Sequence, residues 1–341
     1  MRQEAARVLV VDSGSQMTRV GFAGESTPRA TFPSRVDRGT EPDYPIRNGT
    51  VVNWDALQAL WQKGFQDKLQ ANPKGSVMLV TEVPNGPREN REQMVRFCLE
   101  TLGAKALYLA DEARLALLAS GRRTGVVLTS GTHTTRAVPV REGVTLSEAV
   151  TQLELGGEDL TDYLAELLKE TRGYGFSAGL EQVRELKEKL AFVARKDESD
   201  IDDVNYQLPG GEMLTLGDER HLCTELMFDP RRLELEQEGI HHLVYEAIQR
   251  CDSKLRPDLF ANIVLEGGNT LLKGLVERLS SELRSLVPPT IDVRVTAPED
   301  RQYSAWVGGS MLASQPGFTP LCISRPEYEE AGAKIVHRKC P

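Results

Sequence analysis

The sequence predicts an α/β fold in two related halves, and three observations carry that reading. Short apolar runs of strand length alternate with longer stretches whose apolar residues recur at helical spacing. One pattern, S-G-[ST]-x-x-T-R-[VA], occurs twice: at Ser13-Gly14-Ser15-Gln16-Met17-Thr18-Arg19-Val20 and at Ser130-Gly131-Thr132-His133-Thr134-Thr135-Arg136-Ala137. A chain of 341 residues also has room for two domains at roughly 100–200 residues each. Each copy of the pattern follows an apolar run (Val8 to Val11, Val126 to Leu128) and precedes further β-branched residues. Each therefore reads as a strand, a tight Ser/Gly turn and a returning strand. A separation of about a hundred residues is too long for a solenoid repeat and suits two domains that begin their sheets alike.

The other elements follow in order. Residues 54–70 place Leu57, Leu60, Trp61, Phe65 and Leu69 on one helical stripe. Residues 77–80 form a buried-type strand, 84–87 a Pro/Gly loop, 89–102 a helix and 106–109 a second strand. Beyond the second hairpin, 159–170, 181–194, 233–251 and 271–286 read as helices, and the acid-rich stretch 195–205 as an exposed loop. The strand Ile263-Val264-Leu265 runs into Glu266-Gly267-Gly268-Asn269 and directly into a helix. Such a junction is a place where backbone amides can face an anion or a flat ring.

Composition narrows the function classes. With 40% hydrophobic and 27% charged residues, the chain is of the soluble globular type. Its 50 acidic against 41 basic side chains, a net charge of −9, argue against nucleic acid or an anionic membrane as a partner, which need a basic face. No apolar run approaches the ~20 residues of a transmembrane helix, and Met1-Arg2-Gln3-Glu4 does not begin a signal peptide. Five scattered cysteines without C-x-x-C spacing fit a reducing compartment and no structural zinc. A cytoplasmic location is expected.

Five segments then become specific. VLVVDSGSQMTRVGFAGESTPRATFPSRV (8–36), YPIRNGTVVNWD (44–55), EGGNTLLKG (266–274), YSAWVGGSMLAS (303–314) and ISRPEYEEAGAKIVHRKC (323–340) resemble segments of actin. The matches run through nearly the whole chain, and IVHRKC points to eukaryotic-type actin rather than to the sugar kinases and Hsp70 ATPases. The resemblance implies an actin-like fold of two RNase H-like domains flanking a nucleotide cleft, here 1–124 with 303–341 and 125–302. It implies ATP or ADP as ligand, with Mg²⁺, and a phosphate-binding hairpin from each domain, its glycine turn aiming N–H groups at phosphate.

Carried over residue by residue, the resemblance places Asp12 in the metal shell and Ser13, Gly14 and Ser15 at the phosphates. Arg19 replaces a phosphate-binding lysine. Gln16 stands where actin has glycine, and a bulky residue in left-handed backbone there costs about 1–2 kcal/mol or reshapes the turn. In the second hairpin Gly131 and Thr132 keep the turn, yet Thr129 and Thr132 stand where actin has two aspartates. That loss is expected to weaken Mg²⁺ binding and leaves no carboxylate at this hairpin to act as base. His133 replaces a glycine, Arg136 a histidine near the attacking water, and Glu112 the glutamine that positions that water. Arg136 and His133 then offer positive charge to phosphates, and Glu112 and Arg136 are the catalytic candidates. Gly157, Arg184, Lys187, Glu188, Gly267 and Gly268 match the base and ribose pocket, whereas Gln302 replaces a lysine and Leu272 a tyrosine. Taken singly, Lys187 and Glu188 read as a solvated helix face.

Two surface departures bear on assembly. Residues 34–43 stand in place of actin's outer subdomain and are too few to build a sheet and a mobile loop. The charged stretch Arg231-Arg232-Leu233-Glu234-Leu235-Glu236-Gln237-Glu238-Gly239 replaces an apolar plug and reads as an exposed helix start. The expected function is an actin-like cytoskeletal subunit that binds nucleotide and forms filaments with itself through contacts other than actin's. It is at most a slow ATPase. The alternative is a non-polymerising pseudo-ATPase acting as an adaptor; a fully active ATPase or kinase is the weakest reading. Proteins of the actin-binding type are expected at the cleft bordered by the segment from Trp306 to Ser314.

Overall fold

The computed structural model describes residues 7–39, 41–172, 179–196, 201–211 and 213–341. The chain divides into two compact units, one of Met1–Thr124, Val140–Ser147 and Asp300–Pro341, the other of Gly125–Pro139 and Glu148–Glu299.

The first unit is built on a sheet whose strand order is Ile323–Ser324, Ala106–Asp111, Val77–Glu82, Leu9–Ser13, Met17–Phe22 and Ala30–Pro33. Leu9–Ser13 pairs antiparallel with Met17–Phe22 and parallel with Val77–Glu82, which pairs parallel with Ala106–Asp111. Central parallel strands are covered on both faces, which is why they read as unbroken apolar runs rather than alternating ones. Leu9, Val10, Val11, Met78, Leu79 and Leu107 are accordingly buried. The helix Ser304–Ala313 packs on Glu112–Ala119. A Cβ at Gly308 would stand 1.9 Å from the Leu115 carbonyl oxygen, so glycine sets that approach. Trp306 Nε1 donates to the Val10 carbonyl at 3.1 Å. Most of the segment from Trp306 to Ser314 is thus core, with Met311 (42% exposed) and Ser314 turned outward.

Helix Trp54–Lys63, capped by the Asn53 side chain, widens into a π-helical stretch at Gly64–Leu69. Arg88–Arg96 does the same at Phe97–Thr101. The C-terminal segment docks on the start of the latter helix. His337 meets Glu92 at 3.1 Å, Arg91 holds Glu82 with two nitrogens and also reaches the Cys340 carbonyl, and Lys339 meets Glu327 at 2.8 Å.

The expectation that 34–43 is too short for a sheet needs correcting. Val36–Arg38 pairs with Glu41–Asp43, and Ile46–Arg47 pairs with Thr50–Val51. Strands of three residues are short enough to pair within this length.

In the second unit the sheet order is Thr135–Arg141, Gly125–Ser130, Ile263–Glu266 and Val295–Thr296, with Thr151–Leu153 against the start of Thr135–Arg141. Helices include Gly157–Arg172, Leu180–Leu190, Ile240–Gln249 and Leu275–Leu286. Three sequence expectations shift. The helix expected from 233 begins at Ile240, because Pro230–Leu233 is a single 3₁₀ turn ended by Glu234 at φ +58°. This turn and the irregular stretch after it carry their charges outward: Arg231, Arg232, Glu234, Glu236 and Glu238 are all exposed. The helix expected from 271 begins at Leu275, after a short 3₁₀ turn at Gly268–Leu271. Part of the expected loop 195–205 is a strand, Val204–Gln207, paired with Met213–Leu216 over buried Leu214 and Leu216; 197–200 lie outside the described residues. Among the described residues, no helix is long and apolar enough to cross a membrane.

Candidate nucleotide site

The two copies of the sequence pattern close in the same way. The Gly14 N–H donates to the Met17 carbonyl at 3.0 Å, and the Gly131 N–H donates to the Thr134 carbonyl at 3.1 Å. The Ser13 hydroxyl accepts from Thr18 at 3.2 Å, and the Ser130 and Thr135 hydroxyls lie 2.8 Å apart. The repeated Ser and Thr are therefore the two ends of one cross-strand hydrogen bond. Both glycine N–H groups are used inside their turns rather than turned toward an anion as expected. Neither Gln16 nor His133 is among the described residues in left-handed backbone, so the strain expected at Gln16 does not arise.

In the first unit Asp12 is 7% exposed. Its Oδ2 meets Arg19 at 2.9 Å and its Oδ1 accepts from Thr81 at 2.7 Å. Arg19, expected at a phosphate, instead neutralises Asp12, with its guanidinium over the Tyr303 ring. Trp61 Nε1 donates to Ser13 at 2.9 Å. Glu112 opens the helix Glu112–Ala119 and is half-buried; Asp111 before it caps that helix and accepts from Thr145 at 2.7 Å. Burial pushes the Asp111 carboxyl above the usual range. Gln302 lies half-buried in the turn Arg301–Tyr303.

In the second unit the hairpin turn is backed by a helix start. The Gly157 N–H donates to Gly131 at 2.9 Å and the Glu158 N–H to Thr132 at 2.8 Å. Lys187 is 6% exposed and its Nζ donates to the Gly157 carbonyl. Burial pulls its ammonium below the usual lysine range, against the opposing charge of Glu188. Lys187 is thus no solvated helix face, whereas Glu188 on the same helix is exposed and Arg184 pairs with Glu181 at 3.0 Å. At Gly267 φ is +93° and a Cβ would stand 2.2 Å from the Ser130 carbonyl oxygen; at Gly268 an added Cβ would meet nothing within 4 Å. Asn269 donates to Ser130 Oγ at 2.9 Å, while its buried Oδ1 has no partner. That oxygen and Lys187 Nζ lie 3.3 and 3.2 Å from the place a Cβ would take at Gly157. Gly131, Gly157, Lys187, Gly267 and Asn269 therefore converge in one unit.

Two expected phosphate contacts are otherwise engaged. His133 Nδ1 meets Glu158 at 2.8 Å, and Arg136, 8% exposed, donates from Nε to Gln152 at 2.6 Å. The second hairpin itself carries no carboxylate, as expected from its residues, but the neighbouring strand brings one beside it. Glu266 stands in register with Thr129 on the neighbouring parallel strand, is 5% exposed, and accepts from the Thr129 hydroxyl at 2.7 Å. It was missed because it lies 137 residues further along the chain. Asn269 was missed as well, although it ends the Glu-Gly-Gly-Asn junction. Among the described residues no three metal-binding side chains cluster. A cation would be held by one or two carboxylates with phosphate oxygens, the usual manner for Mg²⁺.

Two α/β units that each open on a Ser-Gly hairpin backed by a parallel strand place the chain among α/β proteins built on a repeated hairpin unit. The family model for actin matches residues 3–44 and 36–341. The chain belongs to the actin family, with an actin-like α/β fold, and is an actin-like nucleotide-binding protein.

Proposed function

We propose that this actin-family chain binds ATP or ADP, assembles with copies of itself through longitudinal contacts other than actin's, and hydrolyses ATP slowly or not at all. The observation that carries the binding half is the convergence of Gly131, Gly157, Lys187, Gly267 and Asn269, where an unpartnered buried amide oxygen and open space at Gly268 suit a polar, flat ligand. Gly157, Arg184, Lys187, Glu188, Gly267 and Gly268 take the base and ribose side. Ser15 and Thr132, which follow the turn glycines, take the phosphates beside Ser13, and Asp12 is the first unit's carboxylate toward Mg²⁺. A bound Mg²⁺ supplies positive charge to the phosphates. Glu112 and Arg136 remain the candidates nearest the attacking water, with Gln302 at the nucleoside. Thr129 and Thr132 in place of acidic groups give the slow turnover.

The short strands within 34–43 and the exposed charges from Arg231 to Glu238 support altered assembly contacts. The domains are read as 1–124 with 303–341 and 125–302, the location as cytoplasmic, and nucleic acid is not a partner. Actin-binding-type proteins would meet Met311 and Ser314. One observation favours a second reading, a non-polymerising adaptor: Arg19 is paired with Asp12 inside the protein, which leaves less charge for phosphate. Two measurements test the proposal. Chromatography of the denatured protein should release adenine nucleotide, and its absence after incubation with ATP defeats the binding half. Sedimentation with and without Mg-ATP should give ordered fibres; strict monomers in all conditions favour the adaptor.

A further inference from the structure

The two hairpins can be compared bond by bond, and one bond is reversed. At the end of Leu9–Ser13, Asp12 accepts a hydrogen bond from Thr81 on the adjacent parallel strand, at 2.7 Å. At the equivalent place in the second repeat Thr129 donates to Glu266 on the adjacent parallel strand, also at 2.7 Å. The turn bond, the Ser–Thr hydroxyl bond and the hydroxyl–carboxylate pair recur in both units, yet the carboxylate has changed strands. A local S-G-x-x-x-T comparison records a lost acid; the paired strands retain one.

We propose that Glu266 is the second unit's carboxylate for a divalent cation that accompanies a nucleotide, standing in for the acid absent at Thr129. This rests on the nucleotide-binding reading above. Three features of the chain support it. Glu266 stands in register with Thr129 beside the hairpin turn, on the strand that answers to the one carrying Thr81 in the first unit. It is followed at once by Gly267 and Gly268, whose backbone closes on Ser130 and leaves open space. The Thr129 hydroxyl fixes one of its oxygens, the kind of orienting contact that ligating carboxylates receive.

The test measures affinity for a fluorescent ATP analogue with Mg²⁺ and with EDTA, together with Mn²⁺ binding by electron paramagnetic resonance, in the full chain. Glu266→Gln, which keeps the shape, and Glu266→Ser are compared with Thr129→Asp/Glu266→Ser, which returns the acid to the hairpin's own strand. The wild type should bind more tightly with Mg²⁺. Both single variants should lose about tenfold or more of that gain while binding as tightly as wild type in EDTA, and the double variant should recover it. Equal weakening with and without metal would mean a merely structural role and overturns the inference, as does an unchanged Mg²⁺ gain in Glu266→Gln. If the wild type binds no nucleotide in either condition, the binding reading fails first and the inference with it.

Discussion

Gly267 joins a left-handed backbone to a close contact, with a Cβ 2.2 Å from the Ser130 oxygen. Gly267→Ala should therefore destabilise the protein by about 2 kcal/mol or more, read as a lower denaturant midpoint. Gly317→Ala, where nothing lies within 4 Å, should stay within about 0.5 kcal/mol of wild type. His241 carries a different signal. Burial, with His242 4.4 Å away between ring centres, pulls its pKa down to about 4 from 6.5. The unfolded chain then binds the proton more readily, so stability is full above 6.5 and falls as the pH drops toward 4. Glu238, Glu282 and Arg278 also act on this ring. His241→Gln should flatten that part of the stability–pH curve, followed by denaturation at several pH values; an unchanged slope would mean that other groups set it.

Between elements, Ser304–Ala313 lies close against Glu112–Ala119 at Gly308. A methyl group at Gly308 meets backbone that cannot move aside, unlike a flexible side-chain end. Gly308→Ala should cost the first unit about 1–3 kcal/mol from overpacking, seen as a lower melting temperature. The C-terminal segment is held by charge instead. Hydrogen bonds from Lys339 and Ser324 hold the Glu327 carboxyl down to about 2, so its contribution is present above about 4.5 and lost as the pH falls toward 2. Lys339→Met should raise the Glu327 pKa in an NMR titration, by an amount that solvent limits because the Glu327 side chain is partly exposed.

For the whole chain, the net charge of −9 makes copies repel one another at low ionic strength. If the protein self-assembles, the sedimenting fraction should rise from about 10 mM to 150 mM salt as the screening length shortens from about 30 to 8 Å. A fraction that falls instead would mean that assembly rests on attraction between opposite charges, such as those from Arg231 to Glu238.

The sequence alone determined the two hairpins, the alternation of strands and helices, and the actin-family resemblance, because each rests on neighbours a few residues apart. The Ser–Thr bond spans five residues and the helical stripes repeat every three or four, so local order suffices to reveal them. Only the tertiary structure decided that Lys187 is buried while Glu188 beside it is exposed, since that depends on which face meets the start of Gly157–Arg172. It also decided that Arg19 answers Asp12, and that Trp306 belongs to the core. Above all it decided that Glu266 restores an acid beside Thr129. Parallel strands are joined through long crossovers, so partners facing each other across them lie far apart in the chain, and no local pattern can pair them.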